Sequence, residues 1–122
     1  MASVRYIVDD VDAAVAFYTT HLGFEVRMRP APGFAMLARE TLTLLLNAPG
    51  AGGGGQTLPD GSVPAPGGWN RFQIEVDDLD ATVARLREAG AAFRSDVLVG
   101  RGGRQALLQD PAGNLVELFQ AG

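Results

Sequence analysis

The chain has 122 residues, ten cationic side chains that are all arginine, fourteen carboxylates and a formal net charge of −4. Its length suits one domain with a real core, and the absence of cysteine excludes disulfides, thiolate metal sites and a cysteine nucleophile. With no basic run, nonspecific nucleic-acid binding is not expected. No apolar run approaches the roughly 20 residues of a membrane span, and "MASVRYIVDD" lacks the regions of a signal peptide, so a cytoplasmic protein is expected.

The first strand signal is "SVRYIV", residues 3–8, in which Val4, Tyr6 and Val8 share one face and Ser3, Arg5 and Ile7 the other. An Asp pair follows, placed to cap a helix on which Val11, Ala14, Val15, Tyr18 and Leu22 recur at helical spacing. Gly23 suits the stop. His21, the single histidine, reads as a solvated helix-end residue rather than a ligand. Three short strand candidates come next, "FEVRMR", "GFAMLAR" and "LTLLLN".

Residues 48–68 hold eight of the sixteen glycines and four of the seven prolines. Such a stretch buries too little to fold alone. It reads as a mobile linker, or else as a flap with Trp69 at its hinge.

The pattern then repeats. "VDDLDATVA" at Val76 matches "VDDVDAAVA" at Val8 in seven of nine positions, 68 residues apart. Two copies of one supersecondary unit are the physical reading. The second copy opens on "RFQIEV", residues 71–76, which alternates strictly: Phe72, Ile74 and Val76 on one face, Arg71, Gln73 and Glu75 on the other. A helix with Leu79, Val83 and Leu86 on its apolar side ends near Gly90. The strand candidates "AFRSDVL", "RQALLQD" and "LVELFQ" follow, the last two joined by the turn-forming "DPAGN". The expected architecture is thus α+β: one domain, residues 1–122, made of a first βαβββ unit (1–47), the Gly/Pro-rich segment (48–68) and a second βαβββ unit (69–122).

The repeated unit, the "D-hydrophobic-D…FY…LGF" run at residues 10–24 and the closing "DPAGNLVEL" resemble the vicinal oxygen chelate superfamily, which includes glyoxalases, extradiol dioxygenases and bleomycin resistance proteins. The resemblance covers essentially the whole chain. It implies two units whose curved mixed sheets surround a cavity, and a homodimer. In the enzymes of that family a divalent metal is held by His, Glu or Gln side chains on the first and last strands of each unit. By the repeat register those positions here are Ser3, Leu44, Arg71 and Glu117. Only Glu117 is a good ligand; Leu44 has no donor, and the guanidinium of Arg71 repels a cation. No metal and no other cofactor are therefore expected.

Glu117 is the one carboxylate in an otherwise apolar strand, and a buried charge needs a partner. The expectation is that Arg71 pairs with it in the place of the metal. Arg5, Phe34, Met36, Leu44, Trp69, Arg71, Gln73 and Glu117 are the candidate lining of a small-molecule site. The resemblance leaves a metal-free binder of the bleomycin-resistance type, holding an aromatic or drug-like ligand. It also leaves a glyoxalase-like lyase, isomerase or dioxygenase with Glu117 as base; in the binder no residue is catalytic.

Overall fold

Asp10 and Asp78 start the two helices, as their places in the repeat predict. The Asp10 carboxylate accepts from the Ala13 N–H at 3.1 Å and that of Asp78 from the Ala81 N–H at 3.0 Å. Each thereby satisfies an N–H that has no partner within the helix. The computed structural model describes residues 2–122 and divides into two units, residues 1–67 and 68–122.

In the first unit β1 is Val4–Ile7, α1 Val11–Leu22, β2 Glu25–Ala31, β3 Phe34–Arg39 and β4 Leu42–Asn47. Their sheet has the order β1-β4-β3-β2, with β1 parallel to β4 and the remaining pairs antiparallel. The second unit comprises β5 Arg71–Glu75, α2 Leu79–Glu88, β6 Ala92–Phe93, β7 Leu98–Val99, β8 Gly103–Gln109 and β9 Leu115–Ala121. The order of its sheet is β5-β9-β8-β6, and β7 also pairs with β8. The fold is thus α+β, with two helices and two mixed sheets. No helix among the described residues is long and apolar enough to cross a membrane.

Two local expectations need correction. "AFRSDVL" is not one strand: β6 and β7 are two residues each. The Arg94 N–H still bonds to the Leu107 carbonyl at 2.8 Å, but residues 95–97 leave the ladder, where Asp96 takes an ion pair from Arg87 on α2 at 3.1 Å. In α1 the buried set is Val11, Ala14, Phe17, Tyr18 and Leu22, with Val15 only half-buried. Phe17 takes its place, meeting Tyr18 edge-on at 5.2 Å between ring centres, and Tyr18 in turn meets Phe24 at 5.4 Å. Such aromatic contacts add to the area that the rings bury.

Gly23 ends α1 in the left-handed conformation, at φ 72°, with the Phe24 N–H returning to the Tyr18 carbonyl at 3.1 Å. An L side chain is strained at that φ, whereas glycine is not. β2 is the exposed edge of the first sheet, and it carries Pro30 and two register shifts. Both features discourage pairing with another edge.

The Gly/Pro-rich stretch is not uniformly featureless. The Ala48 N–H bonds to the Gly33 carbonyl, Gly55 to Ala51, and the Asn47 amide to the Ala51 carbonyl at 3.3 Å. Its beginning therefore turns back onto the end of β4. Farther along, the Ser62 hydroxyl and then the Ser62 N–H hold the Asp60 carboxyl below its ordinary range.

The turn before β9 is built on Asp110, which is buried. One of its oxygens accepts from the N–H groups of Ala112 and Asn114, and the other from the Asn114 amide at 3.2 Å. Asp110→Ala strands those donors in a buried turn, and the expected loss is about 1.5 kcal/mol of unfolding free energy. Urea denaturation checks this, and an unchanged midpoint would contradict it.

Candidate ligand-binding site

Strand alternation gives each sheet two faces. In the first unit Tyr6, Ala35, Leu37, Leu44 and Leu46 are buried on the side that α1 covers. The other face carries a row set by the register, Arg5–Leu45–Met36–Met28, and beside it the row Ile7–Asn47–Phe34. Phe34 and Met36 are half-buried. The exposed Arg5 lays its guanidinium against Gly54, so a side chain at position 54 would collide with it.

Leu44 does not belong to that open face. It is fully buried among the core leucines. Arg5 pairs with Leu45 and Gln73 pairs with Glu117, and Arg5 and Gln73 stand one repeat apart. The counterpart of Glu117 is therefore Leu45. A one-residue slip in register sends a side chain to the opposite face, and that slip is the error in choosing Leu44.

In the second unit Phe72, Ile74, Val116 and Leu118 face the core. Arg71, Gln73 and Glu75 share the other face with Leu115, Glu117 and Phe119 of β9, and with Gln105, Leu107 and Gln109 of β8. Leu107 and Leu115 are buried beside Glu117, whose side chain is only 13% exposed. The charge in the last strand is thus mostly desolvated.

It also has a partner on each oxygen. Arg71 Nε donates to Glu117 Oε1 at 2.9 Å, and Gln73 Nε2 donates to Oε2 at 2.6 Å. Both carboxylate oxygens are held, one by a charge-assisted bond. The other nitrogens of Arg71 reach only distant acceptors, the Trp69 carbonyl at 3.4 Å and Gln105 Oε1 at 3.5 Å. Trp69 is 65% exposed, and the Arg94 guanidinium lies 4.8 Å from its ring centre.

Of the site residues expected from sequence, the second unit brings Trp69, Arg71, Gln73 and Glu117 together, while Arg5, Phe34 and Met36 lie on the open face of the first. Two contributors escaped sequence reading. Gln105 was recoverable from the alternation Gln105–Leu107–Gln109; Arg94 sits in the break between β6 and β7, where no periodicity marks it. A separate concavity of about 340 Å³ is lined by Arg87, Phe93, Arg94, Ser95 and Asp96. Only Arg94 connects it with the Glu117 cluster.

These features agree with comparison to known proteins. Residues 1–118 match the model of the Glyoxalase/Bleomycin resistance protein/Dioxygenase superfamily, and the chain belongs to that family. It is 32% identical over 119 residues to "Putative glyoxylase CFP32" of Mycobacterium tuberculosis, covering 92% of this chain and 42% of that one. The chain thus spans less than half the length of that relative. TnmS3, an antibiotic binding protein from Streptomyces sp. CB03234, superposes with a TM-score of 0.73 at 27% identity, covering 100% of this chain and 96% of that one. A lactoylglutathione lyase from Agrobacterium tumefaciens gives 0.72 at 22% identity, over 98% and 92% of the two chains. That last likeness is one of fold alone.

The family implies a divalent metal, and the residues present do not fit one. Catalytic sites take about three protein ligands. The second unit offers Arg71 and Glu117 at the ligand positions, and the first unit offers Ser3, which is exposed, and Leu45. Among the described residues no group of three or more His, Asp or Glu side chains could hold an ion. The one suitable ligand, Glu117, already carries a guanidinium at 2.9 Å, and a metal there would face a fixed positive charge.

Proposed function

We propose that this chain is a metal-free binding protein of the bleomycin-resistance type that sequesters an aromatic, drug-like small molecule. The observation that carries this reading is the double occupation of Glu117 by Arg71 and Gln73. Each oxygen of that carboxylate already accepts one bond, from a guanidinium and from an amide. The carboxylate is well suited to fixing Arg71 and Gln73 in place. Trp69 and the half-buried Phe119 add the apolar share that small-molecule sites require. The antibiotic binding by TnmS3 supports the same reading, and the name of the CFP32 relative favours the alternative, a glyoxalase-like lyase.

Equilibrium dialysis against a panel of aromatic antibiotics, with mass spectrometry of the recovered ligand, separates the two. A sequestering protein binds saturably and returns the ligand unchanged, and Glu117→Gln weakens binding only. Conversion of the ligand, abolished by Glu117→Gln, would establish the enzyme instead.

A further inference from the structure

The chain as a whole is acidic, yet the surroundings of Trp69 are not. We propose that the ligand is a planar aromatic acid: its ring stacks on Trp69 and its acidic oxygen is taken by the outer edge of the Arg71 guanidinium. This inference rests on the binding reading above and names the chemical class bound.

Three observations converge on it. First, Arg71 spends only Nε on a short bond to Glu117, at 2.9 Å. Its Nη1 and Nη2 stand 3.4 and 3.5 Å from neutral acceptors, at the outer limit of hydrogen bonding. A guanidinium presents five N–H donors in a planar fork suited to a carboxylate, so the outer part of the fork has bonds left to make. The Nε bond to Glu117 fixes the direction in which that part points.

Second, Arg94 makes no ion pair among the described residues. Its guanidinium rests on the Trp69 ring, 4.8 Å from the centre, while every carboxylate paired in this unit belongs to another arginine. Arg71 and Arg94 thus both reach Trp69, and the nearby carboxylates Glu117 and Asp96 are paired with Arg71 and Arg87, which leaves Arg94 as the cation without a carboxylate beside the ring. Glu75 lies on the same face of the sheet, two residues beyond Gln73 and level with Phe119. A local positive excess of this kind attracts an anion whatever the net charge of the chain.

Third, Trp69 is 65% exposed although it is the largest aromatic side chain present. Arg94 holds one part of the ring by a cation–π contact. The exposed remainder offers a flat apolar surface on the same residue whose backbone carbonyl lies 3.4 Å from Arg71 Nη1. A ring with an acidic substituent satisfies both groups at once. A neutral ring would leave the fork to water.

Trp69 is the single tryptophan, so its fluorescence reports on this position alone. The experiment titrates the full chain with 2-naphthoate and with its neutral counterpart 2-naphthamide, at low salt, following Trp69 emission and confirming by calorimetry. The expected result is that the acid binds at least about tenfold more tightly than the amide, as a charge-assisted bidentate contact allows. Arg71→Lys, which keeps the charge but loses the fork, should reduce that preference severalfold, as should Arg94→Gln, which leaves the Glu117 pair intact. Equal affinity for acid and amide overturns the inference while leaving the binding reading in place. So does a preference that survives both substitutions. If neither probe binds at Trp69 up to millimolar concentration, the aromatic-binding reading fails as well.

Discussion

Leu44→Ala is expected to lower the unfolding free energy by about 3 kcal/mol, and Leu45→Ala by less than about 1 kcal/mol. The two residues are neighbours of the same type, so only their faces distinguish them. Leu44 is fully buried under α1 and next to Leu37 in the β3 register, whereas Leu45 is half-buried on the open face between Arg5 and Met36. Truncating the first leaves a cavity in a packed core; truncating the second mainly exposes surface that is already in part solvated. Urea denaturation of both variants is the check, and equal costs would mean that the register assigned to β4 is wrong.

Arg71→Ala is the second large effect. Breaking a fully buried ion pair costs about 3–5 kcal/mol, and an exposed one is worth less than about 1 kcal/mol. The Arg71 and Glu117 side chains are 28% and 13% exposed, which places the pair between those limits, at about 2 kcal/mol. Gln73 alone would then hold the carboxylate. Adding Glu117→Gln to Arg71→Ala removes the stranded charge, so the double variant should recover part of the loss. Affinity should not recover, because the fork that receives the ligand is gone. A wild-type denaturation midpoint for Arg71→Ala would show that the pair contributes nothing to the fold.

The repeat made most of the fold legible. A strictly alternating "RFQIEV", two capping aspartates in register and a left-handed glycine after the first helix each point to one local structure, and each is found. The Arg71–Glu117 pair was legible for the same reason, since the repeat put both residues at ligand positions and a lone charge in an apolar strand demands a partner. "LTLLLN" was not legible in the same way. Leucines at 42, 44, 45 and 46 fill both faces of the strand, so period two selects neither register. The pairing of β1 with β4 decides it. "AFRSDVL" misled because its strand-forming ends enclose Ser95 and Asp96, and the bond from Arg87 to Asp96 is a tertiary event. Arg94 over Trp69 spans 25 residues of chain, and no local pattern encodes it.

On the proposed reading, Arg71 and Gln73 hold the carboxylate that a metal-binding relative would give to a cation. The most direct test incubates the chain with zinc, manganese, nickel and iron(II), desalts it and measures the metal retained, with Glu117→Ala as control. The expected result is metal far below one equivalent per chain, no different from the control. About one equivalent per chain, lost in Glu117→Ala, would mean that a cation displaces Arg71 from Glu117 and that the protein is not a metal-free binder.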